Sequence, residues 1–91
     1  MVYLITYDLN TPGQKYEKLY EEIKTLGAWW HYLESVWIVD TSLNANQITE
    51  KLKRHMAIDA NDRLLVIAVK QDYEGWLSKS EEAFGWLKEH L

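Results

Sequence analysis

The acidic residue Asp8 stands at the exit of a strand-like run, "VYLITYD", and the loop "LNTPGQ" follows it. A carboxylate in this position can bind a metal ion, fix a loop through hydrogen bonds, or face water. Phosphodiester hydrolysis with Mg²⁺ or Mn²⁺ needs several oxygen ligands, and one Asp per chain is too few. A twofold axis near Asp8 would bring two carboxylates together. The residues leave two roles open for Asp8: a metal or phosphate site, or hydrogen bonds to the loop at Asn10 to Gly13.

Aromatic side chains are dense in "AWWHYLESVWIVDT", a segment that predicts a hairpin with strands 28–33 and 35–41. Rings on a sheet can stack single-stranded bases, but exposed Trp and Tyr are also enriched in protein interfaces. His31 is either an acid-base or base-stacking group or a structural hydrogen-bonding residue. Because little positive charge lies nearby, we favour an interface over base stacking. The candidate binding residues of this hairpin are Trp29, Trp30, His31, Tyr32 and Trp37.

Positive charge is scarce, because ten Lys and Arg oppose fourteen Asp and Glu in the 91 residues, a formal net charge of −4. This balance excludes a broadly basic nucleic-acid binder. The patch that could meet phosphate is Lys51, Lys53, Arg54 and His55. No cysteine is present to form a disulfide or bind zinc through sulfur, and no apolar run approaches the roughly 20 residues of a membrane span. We therefore expect a cytoplasmic protein that does not enter membranes.

The elements that must position these residues are two helices and four strands. Residues 2–8 form a strand that is apolar on both faces, and Thr11 with Pro12 is a plausible helix start. A helical stripe then ends at Gly27, and its members are Tyr16, Leu19, Tyr20, Ile23 and Leu26.

The second half of the predicted core repeats the helix-strand order. Asn44 and Gln47 have capping-box spacing before a helix whose apolar face is Ile48, Leu52 and Met56. "RLLVIAVK" is a strand, apolar on both faces. The order β-α-β-β-α-β predicts an α+β, ferredoxin-like fold, with a four-stranded antiparallel sheet and both helices on one face. Strands 2–8 and 35–41 would be the inner ones.

The tail is predicted to add a C-terminal helix from about Ser80, with Phe84, Leu87 and Leu91 at helical spacing. This helix could cover the open face of its own sheet or that of a partner's sheet. We therefore expect one domain over residues 1–91, with its core at 2–70 and a helical tail at 72–91.

Several of these segments resemble known families. "YLITYDLN", Gly27 and the strand opening "SVW" resemble the CRISPR-associated Cas-two proteins and the virulence-associated protein D toxins, over roughly residues 2–70. More closely, "TYDLNTPGQKY", "LGAWWHYLESVWIV" and "DANDRLLVIAV" resemble the SinR-like small proteins of bacteria and phages over nearly the whole chain. That family has no settled function.

The Cas-two resemblance implies a homodimer built through the sheets, with metal-dependent phosphodiesterase activity in some members and a DNA-holding role in others. The family's metal-binding acid matches Asp8, but its usual Arg in the first helix and its Gln near Leu33 are missing here.

We therefore predict a dimeric or oligomeric binding protein, associated with a nucleotide or nucleic acid, with little or no catalysis. Two alternatives stay open. One is an endonuclease, using Mg²⁺ or Mn²⁺ between paired Asp8 residues, and the other is an accessory module for protein interaction. The predicted binding residues are Tyr7, Asn10, Trp29, Trp30, His31, Tyr32, Trp37, Lys51 and Arg54.

Overall fold

Four antiparallel strands and three helices make up this protein in a computed structural model, which describes residues 1–9, 16–55, 57–58, 60–77 and 81–91. The elements are β1 (Val2–Asp8), α1 (Tyr16–Lys24), β2 (Ala28–Leu33), β3 (Val36–Asp40), α2 (Ala45–Arg54), β4 (Arg63–Ala68) and α3 (Glu81–His90). The sheet order is β2-β3-β1-β4, and every neighbouring pair is antiparallel. The predicted α+β class and four-stranded antiparallel sheet are confirmed, with β1 and β3 as the inner strands.

Helix α1 follows the predicted apolar stripe and buries Leu19 and Ile23 against the sheet. The chain turns sharply after it at Gly27, whose φ is +156°. A Cβ on Gly27 would overlap the Asp40 carbonyl oxygen, so only glycine fits this approach of the turn to β3. The predicted helix start at Thr11 and Pro12 lies outside the described residues.

Helix α2 begins with the predicted capping box. Asn44 accepts a hydrogen bond from the Gln47 amide at 2.8 Å, and the Gln47 side chain accepts one from the Asn44 amide at 2.8 Å. The helix buries Ile48 and Leu52. The third residue predicted for this apolar face, Met56, lies outside the described residues.

Helices α1 and α2 cover one side of the sheet, which we call the helix face. Strand residues at alternate positions point into this side, as the two-residue period of a strand requires. The side chains of Ile5, Trp37 and Val39 are fully buried there, as are those of Leu19, Ile23, Ile48 and Leu52 from the helices. This face holds the main core of the molecule.

Helix α3 packs on the other side of the sheet, which we call the open face. Its Ala83 and Leu87 bury a second, smaller core with Val2, Trp30 and Ile38. The tail therefore covers the open face of its own sheet, one of the two arrangements that the sequence leaves possible. Its predicted start at Ser80 lies outside the described residues. Within the described part of the chain, no helix has the length and apolar character to cross a membrane.

Candidate functional site

Asp8 ends β1 directly opposite Arg63, the first residue of β4. By strand alternation Asp8 lies on the open face with Thr6, and the two residues line a hollow of about 260 Å³ together with Ser35, Arg63 and Leu65. The Arg63 neighbour is the feature that sequence reasoning missed. The predicted fold could have revealed this neighbour, because antiparallel pairing of the first and last strands brings the end of β1 beside the start of β4.

The groups around Asp8 include few of the oxygen ligands that a metal site needs. One carboxylate and the hydroxyl groups of Thr6 and Ser35 line the hollow, and the guanidinium of Arg63 adds positive charge beside them. Mg²⁺ and Mn²⁺ require several oxygen ligands, with carboxylates preferred. Among the described residues, no three His, Asp or Glu side chains lie close enough to share a metal ion. The donors that the described residues of one chain place around Asp8 therefore do not fit either ion. The alternative role through Asn10 lies outside the described residues.

The aromatic hairpin is divided between the two faces of the sheet. Trp37 belongs to the helix-face core, and Trp29 and His31 pack against it. Trp30 belongs to the open-face core, with Tyr32 beside it at 5.2 Å between ring centroids. Because successive residues of a strand point to opposite faces, the predicted ring set does not form one platform.

On the helix face, the aromatic rings of the hairpin pack against one another. His31 stacks on Trp37 with ring centroids 3.9 Å apart, and its Nε2 donates to the Glu34 carbonyl oxygen at 3.1 Å. Trp29 is partly exposed, and the Lys24 ammonium lies 4.9 Å from its ring centroid. The arrangement gives His31 a structural hydrogen bond and gives Trp29 a cation-π contact.

Tyr7 connects β1 to the turn between β2 and β3. Its hydroxyl accepts a hydrogen bond from Trp37 Nε1 at 3.2 Å and donates one to the Glu34 carbonyl oxygen at 3.3 Å. Burial raises the pKa of the Tyr7 phenol above its ordinary value, and the nearby Tyr20 phenol adds to the effect. Tyr7 is therefore neutral at physiological pH, where it cannot serve as a general base.

On the open face, Trp30 is buried under α3, and its Nε1 donates to the Ala83 carbonyl oxygen at 3.0 Å. Base stacking requires an accessible ring face. Of the five predicted rings, Trp29 and Tyr32 are the most exposed, and they lie on opposite faces of the sheet. The hairpin in this conformation offers single rings to solvent, not a stacking surface.

The predicted cations lie on α2, away from both Asp8 and the open-face rings. Lys51 and Arg54 line a shallow hollow of about 450 Å³, with Asn46 and Gln47 beside them. Glu50 lies in the same hollow, and its carboxylate is 3.4 Å from Lys53 Nζ. Lys51 and Arg54 are the Lys and Arg side chains that line this hollow.

An apolar surface remains uncovered on the open face, beyond the part of the sheet that α3 covers. Leu65 and Ile67 of β4 are 58% and 52% exposed, and we call these two residues the β4 patch. Ile67 lies opposite Leu4, which lines a groove of about 400 Å³ between the sheet, α3 and segment 69–77. We call this the α3 groove, and its apolar lining includes Ile38, Val69, Phe84, Leu87 and Leu91. The sequence already indicated this surface, because the segment that forms β4 is apolar on both of its faces.

This chain matches no protein-family model, no curated protein and no solved structure.

Proposed function

We propose that this protein is a non-catalytic binding module on a ferredoxin-like plan, and that it works as a homodimer joined through the β4 patch. The observation that carries the proposal is the exposure of Leu65 and Ile67 on an edge strand. Three features support the ferredoxin-like plan. They are the strand order β2-β3-β1-β4, the two helices α1 and α2 on one face, and the antiparallel pairing of every neighbouring pair of strands.

Two physical arguments favour association through β4. Fully burying a Leu or Ile side chain contributes about 1.5–3 kcal/mol, and more than half of each side chain in the patch is still exposed. An exposed, hydrophobic edge strand is also a template for pairing with another chain. Arg63 begins the strand, and the five residues after it are apolar. A second copy packed on the open face would cover these side chains.

The groups best suited to acid-base chemistry are engaged in ways that favour binding over turnover. His31 is stacked and hydrogen bonded, and Tyr7 is buried and neutral. Asp8 lies beside a cation rather than beside a second acid. A general acid-base pair requires two groups within reach of one substrate. Tyr7 and Asp8 line the same hollow, but the Tyr7 hydroxyl is already hydrogen bonded to Trp37 and Glu34, and His31 does not line that hollow.

The experiment is to measure molar mass by light scattering and sedimentation equilibrium from micromolar to hundreds of micromolar concentrations. We expect a dimer for the parent protein and a monomer for Leu65→Lys, because a lysine at the contact must be desolvated on association. Asn46→Lys is the matched control, since it adds the same charge at an exposed position of α2. A parent protein that stays monomeric at the highest concentration contradicts the proposal.

A second candidate function is the association with a nucleotide or short nucleic acid, favoured by the two cations of the α2 hollow. Lys51→Glu with Arg54→Glu should then abolish binding of labelled oligonucleotides at low salt, and Lys18→Glu should not. The same oligonucleotides incubated with Mg²⁺ or Mn²⁺ test the paired Asp8 alternative, because a dimer through the open face would carry both Asp8 residues on one surface. Cleavage that Asp8→Asn abolishes would support that alternative over a purely binding role.

A further inference from the structure

Trp76 is the most exposed large apolar side chain of the described residues. It is 91% exposed, and it stands on the rim of the α3 groove in segment 69–77, which has no helix or strand. An indole ring in water forgoes one of the largest hydrophobic gains available to any side chain. The groove beside it is apolar, half-open and large enough to take a ring. A protruding ring and an apolar groove therefore lie next to each other on one surface.

A protruding ring and an adjacent groove are the two halves of an isologous contact. In a twofold dimer the same surface meets itself, so each copy must offer both the inserted group and the receiving site. On the basis of the homodimer proposed above, we propose that Trp76 of each copy inserts into the α3 groove of the other. The occupant of the groove is thus a second copy of this chain, contributing one ring to each site.

The areas involved link this contact to the β4 patch. Each Trp76 ring offers roughly 200 Å², so two rings and the two groove surfaces that they cover remove about 800 Å² from water. A stable specific dimer buries about 1,200–2,000 Å² in total. The ring contacts alone fall short, and the exposed surface of Leu65 and Ile67 is the nearest apolar area that can supply the remainder. Ile67 is directly opposite Leu4, a groove residue, so the two contacts form one continuous interface.

The charges at the rim of the groove are compatible with self-association. Lys70 lies on this rim with Asp72 and Glu74, so both signs are present within five residues of extended chain. A rim of one sign would repel its own copy, whereas a mixed rim can place Lys70 of one copy near an acid of the other. We therefore expect the apolar contact, rather than the charges of the rim, to determine the affinity of the dimer.

The first test is the dimer dissociation constant of Trp76→Ala, measured by sedimentation equilibrium. Losing a central Trp from an interface weakens binding by roughly 30-fold, so the loss of both rings should weaken dimerisation by about 1,000-fold. Trp29→Ala is the matched control, because it removes a partly exposed Trp from the opposite face of the sheet. It should leave the dissociation constant within a few fold of the parent value.

A mixing experiment then separates insertion into the partner from packing on the same chain. Leu33→Arg places a charge in the groove at a half-exposed position, so it should block the receiving site without disturbing the fold. Each variant alone should be monomeric. A mixture of Trp76→Ala and Leu33→Arg should form a heterodimer, because the Trp76 of the Leu33→Arg chain can enter the intact groove of the Trp76→Ala chain.

The outcomes distinguish this inference from the dimer itself. If Leu65→Lys dissociates the dimer while Trp76→Ala and Leu33→Arg leave it intact, the homodimer stands and the insertion of Trp76 is wrong. If the dimer is unchanged and the dye 8-anilinonaphthalene-1-sulfonate binds in a way that Leu33→Arg abolishes, the groove takes a small apolar molecule and the inference is overturned. A monomeric parent protein overturns both proposals together.

Discussion

The two faces of the sheet are built from the same strands but are closed to different degrees. On the helix face, α1 and α2 leave the side chains of Ile5, Trp37 and Val39 with no exposed surface. On the open face, α3 alone covers Val2, Trp30 and Ile38 and leaves the β4 patch in water. One face is fully covered at these positions within a single chain, and the other is only partly covered.

This difference assigns the folding stability of one chain and the association of two chains to different faces of the sheet. A fully packed core contributes to the folding of one chain, and each methylene removed from it leaves a cavity. A half-covered apolar face contributes little to folding at its exposed positions, and its apolar area is what the proposed dimer would bury. The helix face should therefore determine whether the chain folds, and the open face should determine whether two chains meet.

The largest expected effect comes from one substitution made on each face. Leu52→Ala in the helix-face core should lower the free energy of unfolding by about 2–5 kcal/mol, because a fully buried leucine leaves a cavity. Leu65→Ala should change it by less than about 1 kcal/mol when the protein is dilute enough to be monomeric. Urea denaturation of both variants at low micromolar concentration makes the measurement. Equal losses in the two variants would break the distinction between the faces.

The helix face was largely predictable from sequence, because periodicity is enough to define it. The stripe through Leu19 and Ile23 and the capping box at Asn44 and Gln47 are local patterns, and each corresponds to an observed helix or cap. The antiparallel sheet followed from the element order. Helix α1 ends at Lys24, three residues before the predicted end at Gly27. The close approach of Gly27 to Asp40 depends on the tertiary packing of β3.

The candidate site was less predictable, because its geometry depends on contacts between distant segments. Alternation within the hairpin already separates Trp30 from Trp29, so the division of the rings was readable from the two-residue period. The burial of Trp30 was not readable, since it results from α3, 53 residues further along the chain at Ala83. The exposure of Trp76 likewise depends on where segment 69–77 leaves the sheet. Sequence patterns show which residues share a face, and packing decides which of them stay in water.

The next prediction concerns Tyr7 and alkaline pH. Tyr7→Phe should lower the free energy of unfolding by about 1–3 kcal/mol at pH 8, because Trp37 Nε1 loses its buried acceptor. The raised pKa of Tyr7 also predicts a pH effect. Above about pH 10 the unfolded phenol loses its proton while the folded one keeps it, so stability falls by up to about 1.4 kcal/mol per pH unit from this group.

Urea denaturation from pH 8 to 11 checks this, with Tyr73→Phe as the control because Tyr73 is exposed. Tyr7→Phe should show a shallower alkaline loss of stability than either the parent or the Tyr73→Phe variant. Identical slopes in all three proteins would mean that Tyr7 ionises alike in the folded and unfolded states. The helix face would then be less closed at its Tyr7 end than the contacts indicate.

The smallest expected effect concerns the polar contact at the end of α3. His90 Nδ1 donates to Asp40 Oδ2 at 2.8 Å, but both side chains are partly exposed. Such pairs contribute about 0.2–1 kcal/mol, whereas Leu87 and Ala83 bury apolar surface in the same helix.

A double-mutant cycle of His90→Ala and Asp40→Ala, measured by urea denaturation, should therefore give a coupling energy of at most about 1 kcal/mol. The Lys53 and Glu50 pair on α2 provides the reference cycle, because both of its side chains are about half exposed. A coupling well above that of the reference would show that a polar contact, rather than apolar burial, holds α3 on the sheet. The attachment of α3 to the open face would then depend on a partly exposed polar pair rather than on apolar packing. The two faces would in that case differ in the kind of interaction that covers them as well as in the extent of their burial.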